Sequence, residues 1–108
     1  MVRPPMLAAL AVMAGMLACR ASQEGDAAKG NAVFGEQCAS CHSATGAEKK
    51  LAPGLKGIFK AAKLNSGKKA TEQNVRAQVD DGGNGMPSYK DLLTDREKDD
   101  LIAYLKTL

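Results

Sequence analysis

The sequence is short of the large side chains that usually fill a protein core. It contains no tryptophan, two phenylalanines, two tyrosines and a single histidine among 108 residues. This length suits one small domain, for which an apolar core alone contributes little net stability. A single histidine excludes any site built from several imidazoles. The scarcity of aromatic residues therefore favours a domain that is stabilised by more than its own side chains.

Cysteine is also scarce, with three residues in the whole chain. Cys38 and Cys41 are so close in sequence that a bridge between them would restrict the unfolded chain very little. The third, Cys19, lies well upstream of this pair. Small exported domains that lack a disulfide framework often depend on a bound metal group instead. The composition accordingly favours a cofactor over a disulfide scaffold.

Residues 1–21 have the layout of a secretory signal peptide. Arg3 supplies a short positive segment, and an apolar run of 12 residues extends from Leu7 to Ala18. This run is shorter than the roughly 20 apolar residues that a transmembrane helix requires. We therefore predict an exported, periplasmic protein whose domain occupies residues 22–108.

Two endings of the signal segment are consistent with the sequence. The stretch Met16-Leu17-Ala18-Cys19 resembles a bacterial lipoprotein cleavage site. In that case a lipid on Cys19 would anchor the domain to a membrane. Alternatively, cleavage follows Ala21 and Cys19 is removed with the signal. Either ending leaves the chemistry of residues 22–108 unchanged.

Helical patterns dominate the predicted domain, and no segment shows the alternation typical of a β-strand. Three longer helices each follow a residue that can cap them, namely Asp26, Thr71 or Thr94. A shorter helix is predicted between the first two. The predicted helices run from residue 27 toward 38, over 58–64, over 72–81, and from Thr94 onward. The predicted fold class is all-α.

The segment Cys38-Ala39-Ser40-Cys41-His42 places two thiols close together, followed at once by the only histidine. A thioredoxin-like redox pair would lie near a βαβ pattern, which this sequence lacks. A structural zinc site usually takes four cysteine or histidine ligands, and the predicted domain offers three at most. A surface disulfide would leave His42 without a role. The interpretation that accounts for all three residues is covalent attachment of haem c, for which CxxCH is the signature.

The spacing of CxxCH suits this chemistry because each thiol adds across one of two vinyl groups on neighbouring edges of the haem. A short helical turn carries both sulfur atoms to one side, and the next residue then lies under the iron. Haem attachment in bacteria is completed outside the cytoplasm, which agrees with the export signal. We therefore expect Cys38 and Cys41 to hold the haem and His42 to bind its iron.

The second axial position of the iron has one sulfur candidate. Four of the five methionines fall within residues 1–21, so Met86 is the only methionine of the predicted domain. It follows a glycine-rich stretch and precedes Pro87, which restricts its backbone conformation. Two interpretations stay open: Met86 binds iron through its thioether, or it fills a gap in the core. The first makes His42 and Met86 the two metal ligands.

Together these motifs resemble a class I monohaem cytochrome c of the small bacterial kind, over almost the whole predicted domain. The motifs concerned are Gly30-x-x-x-Phe34, CASCH at 38–42, Ala52-Pro53-Gly54-Leu55-Lys56-Gly57, Gly85-Met86-Pro87 and the last helix with Tyr104. The resemblance implies an all-α cytochrome c fold, with three to five helices wrapped around one covalently bound haem c. It also implies that the Pro53 carbonyl lies near the far ring nitrogen of His42, and that Gly30 and Tyr104 meet where the first and last helices cross.

Charge is distributed unevenly along the chain. The formal net charge is +3 and falls to +1 when residues 1–21 are removed. Seven lysines and no acid lie between Lys49 and Lys69, whereas seven acids and three basic residues lie between Asp80 and Asp100. Either the lysines steer the protein onto an acidic redox partner, or both regions are ordinary solvated faces. Nucleic-acid binding is not expected, because the chain has an export signal and no recognition motif.

Electron transfer is the function that these features predict. No nucleophile, acid–base pair or substrate pocket is recognisable, so we expect a carrier that works with redox partner proteins, and not an enzyme. One alternative is a haem enzyme or gas-binding sensor with an open axial site. Another is a haem subunit of a larger oxidoreductase. Whether Met86 stays bound to iron separates the carrier from the enzyme or sensor.

Overall fold

The computed structural model describes Val2 and residues 24–108. The predicted signal segment at 1–21, apart from Val2, and Cys19 within it lie outside the described residues. The described part contains three α-helices: α1 (Ala27–Gln37), α2 (Glu72–Asp81) and α3 (Asp95–Leu105). Extended pairing in this part is limited to two isolated bridges. The all-α prediction is confirmed, at the lower end of the expected three to five helices.

Each helix begins at the capping residue that the sequence predicted. The Asp26 side chain accepts hydrogen bonds from the first backbone N–H groups of α1, and the Thr71 side chain does the same for α2. At α3, Thr94 and Glu97 form a reciprocal capping box, with N–H to side-chain oxygen distances of 3.0 and 3.1 Å. These bonds satisfy donors that a helix start leaves without partners.

The short helix predicted over residues 58–64 is absent from the structure, which has turns there instead. One turn closes where the N–H groups of Lys60 and Ala61 donate to the Gly57 carbonyl, at 2.9 and 3.1 Å. The chain then folds back, and the Leu64 N–H donates to the Lys68 carbonyl at 2.8 Å. The prediction was wrong because this later segment takes the hydrogen bonds that a second helical turn would need.

The first and last helices cross at Gly30, as the resemblance implied. A Cβ atom on Gly30 would lie 1.9 Å from the Asp100 carbonyl oxygen and 2.8 Å from the Tyr104 Cβ, so only glycine allows this approach. One turn along α1, the rings of Phe34 and Tyr104 pack with centroids 5.5 Å apart. The Asp26 N–H also donates to Asp100 Oδ1 at 2.7 Å. The crossing therefore fixes α3 against the start of α1.

The core lies between the crossed pair and α2. Its buried hydrophobic members are Val33, Phe34, Val75, Val79, Tyr89, Leu93, Leu101, Ile102 and Leu105. Val75 and Val79 lie one helical turn apart and line the same cavity as Leu101 and Leu105. None of the helices in the described part is long and apolar enough to cross a membrane. The helices thus form one side of a cavity, and the long segments between them supply the other.

Candidate functional site

One largely apolar cavity brings together all five residues that the sequence analysis assigned to a site. Its volume is about 730 Å³, within the range of small-molecule and cofactor sites. Cys38, Cys41, His42, Pro53 and Met86 all line it. The aliphatic part of its wall includes Leu55, Ile58, Val75, Val79, Leu101 and Leu105. An apolar cavity bordered by two thiols, an imidazole and a thioether fits a haem better than a polar substrate.

The two cysteines lie in a turn directly after α1. Cys38 ends the helix by donating its N–H to the Phe34 carbonyl at 2.8 Å. The N–H groups of Cys41 and His42 then both donate to the Cys38 carbonyl, at 3.1 and 2.9 Å. This tight turn brings all three side chains to the same cavity. Both thiols are free, so each is available for a thioether bond.

The protonation of Cys38 argues against a redox-active thiol pair. Burial, with a smaller effect from the neighbouring Cys41, raises the pKa of the Cys38 thiol to about 11. Catalytic and redox-active cysteines instead have lowered pKa values, because the thiolate is their reactive form. Within residues 24–108, the structure also has no cluster of three or more His, Cys, Asp or Glu side chains that could hold a metal ion. Neither the redox pair nor the zinc site therefore gains support.

Backbone pairing places the Pro53 carbonyl at His42. The Ala52 N–H donates to the Cys41 carbonyl at 3.1 Å, and the Leu55 N–H donates to the Ser43 carbonyl at 2.8 Å. Between these bonds, His42 Nδ1 lies 2.7 Å from the Pro53 carbonyl oxygen. A carbonyl can only accept, so Nδ1 donates this bond and Nε2 is the ring nitrogen left to bind a metal. We call residues 38–55, which include this pairing, the attachment segment.

Met86 follows a tight turn after α2. The N–H of Gly83 donates to the Met86 carbonyl at 2.9 Å, and the N–H of Met86 donates back to Gly83 at 3.0 Å. The two residues between them, Asn84 and Gly85, have φ values of 53° and 91°. Two positive φ values at the centre of a two-residue turn are typical of type I′, which favours the pair Asn-Gly. We call residues 82–90, which carry Met86, the methionine loop.

Two further residues border the site, and the sequence analysis did not identify them. Gln78 Nε2 lies 3.7 Å from Met86 Sδ and donates to the Gly82 carbonyl at 3.1 Å. The Tyr89 hydroxyl donates to the Gln37 carbonyl at 2.8 Å, and burial raises the pKa of this tyrosine, with smaller effects from the two cysteines. Tyr89 could have been suspected as a rare aromatic close to Met86, whereas no pattern pointed to Gln78.

The lysine-rich region borders the cavity. All seven lysines between residues 49 and 69 are exposed, and Lys49, Lys56 and Lys63 line the cavity. Leu51 also lines it and is 81% exposed. Within the part of the chain that the structure describes, none of these lysines forms an ion pair, whereas Asp80, Asp95, Asp99 and Asp100 each lie near a basic side chain. Positive charge is therefore uncompensated beside the cavity, and much of the negative charge is compensated elsewhere.

Comparison with known proteins finds a matching family and several relatives. Residues 25–105 match the family described as cytochrome c oxidase, cbb3-type, subunit III. The chain is 36% identical to cytochrome c6 of Leptolyngbya boryana, over 74% of this chain and 89% of the relative. It is 37% identical to cytochrome c2 of Blastochloris viridis, over 90% of this chain and 87% of the relative. It is also 34% identical to the cytochrome c subunit of the cytochrome bc1 complex of Corynebacterium diphtheriae, over 76% of this chain but 27% of that relative.

A solved structure shows the same architecture. The fold is similar to that of cytochrome c6 from the diatom Phaeodactylum tricornutum, with a TM-score of 0.62 and 29% sequence identity. This similarity covers 77% of the present chain and 93% of the diatom protein. The range 25–105 that matches the family includes all three helices and all five residues predicted for the site.

Proposed function

The chain belongs to the class I c-type cytochromes and transfers electrons through one covalently bound haem c, and from this premise we propose that His42 and Met86 are the axial ligands. The observation that carries the proposal is that one apolar cavity is lined by both side chains and by Cys38 and Cys41. When bound, the haem supplies an iron that alternates between the ferric and ferrous states.

The attachment segment prepares His42 for iron. The hydrogen bond from Nδ1 to the Pro53 carbonyl, at 2.7 Å, fixes both the tautomer and the ring orientation. It also makes Nε2 a better donor, because a proton shared with a carbonyl leaves more electron density on the ring. Thioether bonds at Cys38 and Cys41 would hold the haem beside this imidazole. The two cysteines, His42 and the Pro53 carbonyl thus lie within one short stretch of the sequence.

Met86 suits the opposite ligand position because its thioether is a soft donor. Such a ligand favours ferrous iron and raises the reduction potential relative to harder ligands. Within residues 24–108, Met86 is the only methionine, and His42 is the only histidine of the chain. With both positions filled by protein atoms, small molecules do not reach the metal. This arrangement supports a carrier over an enzyme or a gas sensor.

Substitution of Met86 tests the proposal directly. The unmodified ferric protein should show the near-infrared sulfur-to-iron charge-transfer band, and Met86→Ala should abolish it, lower the potential and admit carbon monoxide to the ferrous iron. Met86→His is the matched control, because it should remove the band while still keeping carbon monoxide out. An unmodified protein that lacks the band and binds carbon monoxide quickly at neutral pH would overturn the proposal in favour of an enzyme or sensor.

We further propose that the lysine-rich region between Lys49 and Lys69 docks an acidic redox partner. Three of its lysines border the cavity, around the exposed Leu51, and none of the seven has an ion-pair partner among the described residues. Unpaired charge at the edge of a site speeds the encounter with an oppositely charged protein, and added salt weakens this effect. The carrier would thus present its cavity edge to the partner.

Two triple variants of equal charge separate docking from simple solvation. The first variant changes three lysines that line the cavity, at 49, 56 and 63, to glutamate. The second variant changes three lysines that do not line it, at 60, 68 and 69, to glutamate. The second-order rate of electron transfer to an acidic partner should fall further in the first variant, and its dependence on ionic strength should become weaker. Rates that neither the substitutions nor added salt changes would leave only the solvated-face interpretation. Equal losses in the two variants would mean that the cavity edge has no special part in docking.

A second candidate function is that of a haem subunit within a larger oxidoreductase. The matching family is described as an oxidase subunit, and one relative is a subunit of a cytochrome bc1 complex. Affinity purification of the tagged protein from its own membranes distinguishes the two. Stoichiometric recovery of other subunits through detergent and salt washes would support the subunit, whereas recovery of the cytochrome alone would support the free carrier.

We also propose that residues 1–21 export the chain, on the basis of their sequence pattern alone. Intact mass of the protein matured in a bacterial periplasm distinguishes the two endings. Cleavage after Ala21 removes Cys19, whereas a lipoprotein signal leaves Cys19 as a lipid-bearing N-terminus. A mature mass that still includes residues 1–18 would contradict both.

A further inference from the structure

A buried lysine connects three segments of the protein near the methionine loop. Lys98, in α3, is 4% exposed. Its Nζ lies 2.6 Å from Asp80 Oδ1, in the last turn of α2, and donates to the Lys90 carbonyl at 3.0 Å. An ammonium group is costly to bury unless it is paired and hydrogen-bonded, and this one is both. The contact therefore depends on all three segments being in place.

These partners lie at the two ends of the methionine loop. Asp80 precedes the loop, and its backbone carbonyl also accepts a hydrogen bond from Ser88 Oγ at 2.5 Å. Lys90 is the last residue of the loop, and the neighbouring Tyr89 donates its N–H to the Val79 carbonyl at 3.0 Å. The Lys98 ammonium thus connects Asp80, at the end of α2, to Lys90, at the end of the methionine loop. Met86 lies between these points.

Asp80 depends on Lys98 for its buried oxygen. Oδ1 of Asp80 is inaccessible to solvent, and apart from the ion pair with Lys98 the described part of the chain offers it no hydrogen-bond partner. Removing the lysine leaves a buried carboxylate oxygen without its ion-pair partner, and removing the aspartate leaves a buried ammonium with one carbonyl. Either loss is relieved if the end of α2 and the methionine loop move apart.

We propose that Lys98 and Asp80 are positioning residues that hold the methionine loop closed and so keep the Met86 thioether on the iron. The proposal rests on the proposed ligation by Met86. Opening of the loop, which would separate the thioether from the metal, requires the ammonium to lose the Lys90 carbonyl or the Asp80 carboxylate. Neither Lys98 nor Asp80 lines the cavity, so the ion pair would act on Met86 only through the loop.

The structure supplies a matched control in another lysine–carboxylate ion pair that links α2 to the end of α3. Lys106, just after α3, pairs with Glu72, at the start of α2. Both of these side chains are about half exposed, and among the described residues neither forms an ion pair with the methionine loop. Exposed pairs of this kind contribute little to stability. A change at Lys106 therefore removes a lysine that links α2 and α3 without releasing the loop.

The test compares holoprotein carrying Lys98→Met, Asp80→Asn or Lys106→Met. Because breaking a buried pair leaves a charge without its partner, we expect Lys98→Met and Asp80→Asn to raise the rate of carbon monoxide binding to ferrous iron at least about tenfold. The charge-transfer band should also disappear at a lower denaturant concentration than the helical circular dichroism. Lys106→Met should change the carbon monoxide rate less than about twofold.

Several outcomes separate the possible failures. If Lys98→Met behaves like Lys106→Met, or if band and helix signal always disappear together, the pair is structural only and the inference is wrong. If the Lys98→Met variant does not fold, the Asp80→Asn variant tests the inference instead. It is the milder change, because the Asp80 side chain is already 29% exposed. The double variant should raise the carbon monoxide rate by less than the two single variants predict together, because it leaves neither buried charge without its partner. If the unmodified protein lacks the band, the proposed ligation itself fails, and this inference fails with it.

Discussion

The two sides of the cavity, the attachment segment and the methionine loop, are held in place by different kinds of interaction. In the attachment segment, backbone bonds between residues 41–43 and 52–55 bring His42 to the Pro53 carbonyl. The methionine loop has a backbone-bonded turn of its own, but it also depends on contacts from elsewhere in the chain. The side chains of Gln78 and Lys98 bind it, and its Tyr89 hydroxyl donates to the Gln37 carbonyl. The attachment segment is thus held mainly by local backbone contacts, and the methionine loop also needs tertiary contacts.

This difference indicates how each side should respond to change. Covalent bonds and backbone pairing depend little on the identity of the surrounding side chains, except for the cysteines themselves. A loop held by single side-chain contacts can open while the rest of the protein stays folded, because its local stability is lower than the global value. We therefore expect the methionine loop to be the more sensitive side, and the following predictions test this expectation.

The largest effect should follow from removing both thiols. Cys38→Ala combined with Cys41→Ala leaves no atom for a thioether, so the intact mass should equal that of the processed polypeptide. Any haem that still binds should be extracted by acid–acetone. Ser40→Ala, between the two cysteines, is the control and should retain covalent haem. Haem that stays attached to the double variant would mean that another residue forms the bond.

A smaller effect should come from the turn that carries Met86. Gly85 has a φ of 91°, which a β-branched residue adopts only with strain, so Gly85→Val should lower the free energy of unfolding by about 1–3 kcal/mol. Denaturant titration measures this change, and the charge-transfer band should weaken before the helices unfold. Gly35→Ala is the control, because its added Cβ would meet nothing within 4 Å and should stabilise α1 by about 0.5–1 kcal/mol. Equal changes in the two variants would contradict the comparison.

Tyr89→Phe should have a moderate effect, because it removes the bond that joins the methionine loop to the end of α1. The lost hydrogen bond, 2.8 Å long in the structure, should reduce the free energy of unfolding by about 1 kcal/mol. Tyr104→Phe provides the comparison, since within the described residues its hydroxyl forms no hydrogen bond as donor. A loss in Tyr104→Phe as large as in Tyr89→Phe would show that removal of a tyrosine hydroxyl in general, and not loss of the bond to Gln37, accounts for the change.

The smallest effect is expected at Pro53, despite its position beside His42. Pro53→Ala keeps the carbonyl that accepts from His42 Nδ1 and changes mainly the freedom of the unfolded chain. The free energy of unfolding should fall by only about 0.4–1 kcal/mol, with the reduction potential and the charge-transfer band unchanged. A clear shift in potential would show that the ring of Pro53, and not only its backbone, sets the imidazole.

The predictable parts of the fold are those that depend on interactions between residues close together in the sequence. Asp26, Thr71 and Thr94 were recognisable as caps because a cap bonds to N–H groups two or three residues away. CxxCH was recognisable because two thioethers and an axial imidazole require adjacent residues. The position of Pro53 followed from a family resemblance and not from any spacing. Local chemistry is therefore what a single sequence conveys best.

The remaining features are contacts between residues that no sequence motif or regular spacing connects. The bond from Gln78 to Met86 and the Lys98 ion pair depend on how α2, α3 and the loop pack, which the sequence alone does not specify. The helix predicted at 58–64 failed for the same reason, since its backbone partners lie beyond it, at 68 and 69. The glycines before Met86, which looked like an adaptable lead-in, form a defined hydrogen-bonded turn.

The crossing of α1 and α3 affects the order of events during biogenesis. The bond from Asp26 to Asp100 spans 74 positions, so the two helices meet only after nearly the whole chain is available. Chains are made from the N-terminus, and contacts between distant residues form late and slowly. In an exported chain, CASCH would therefore emerge while α1 still lacks its partner. The wide separation of α1 and α3 in the sequence would thus leave an interval in which both thiols are accessible to the attachment machinery.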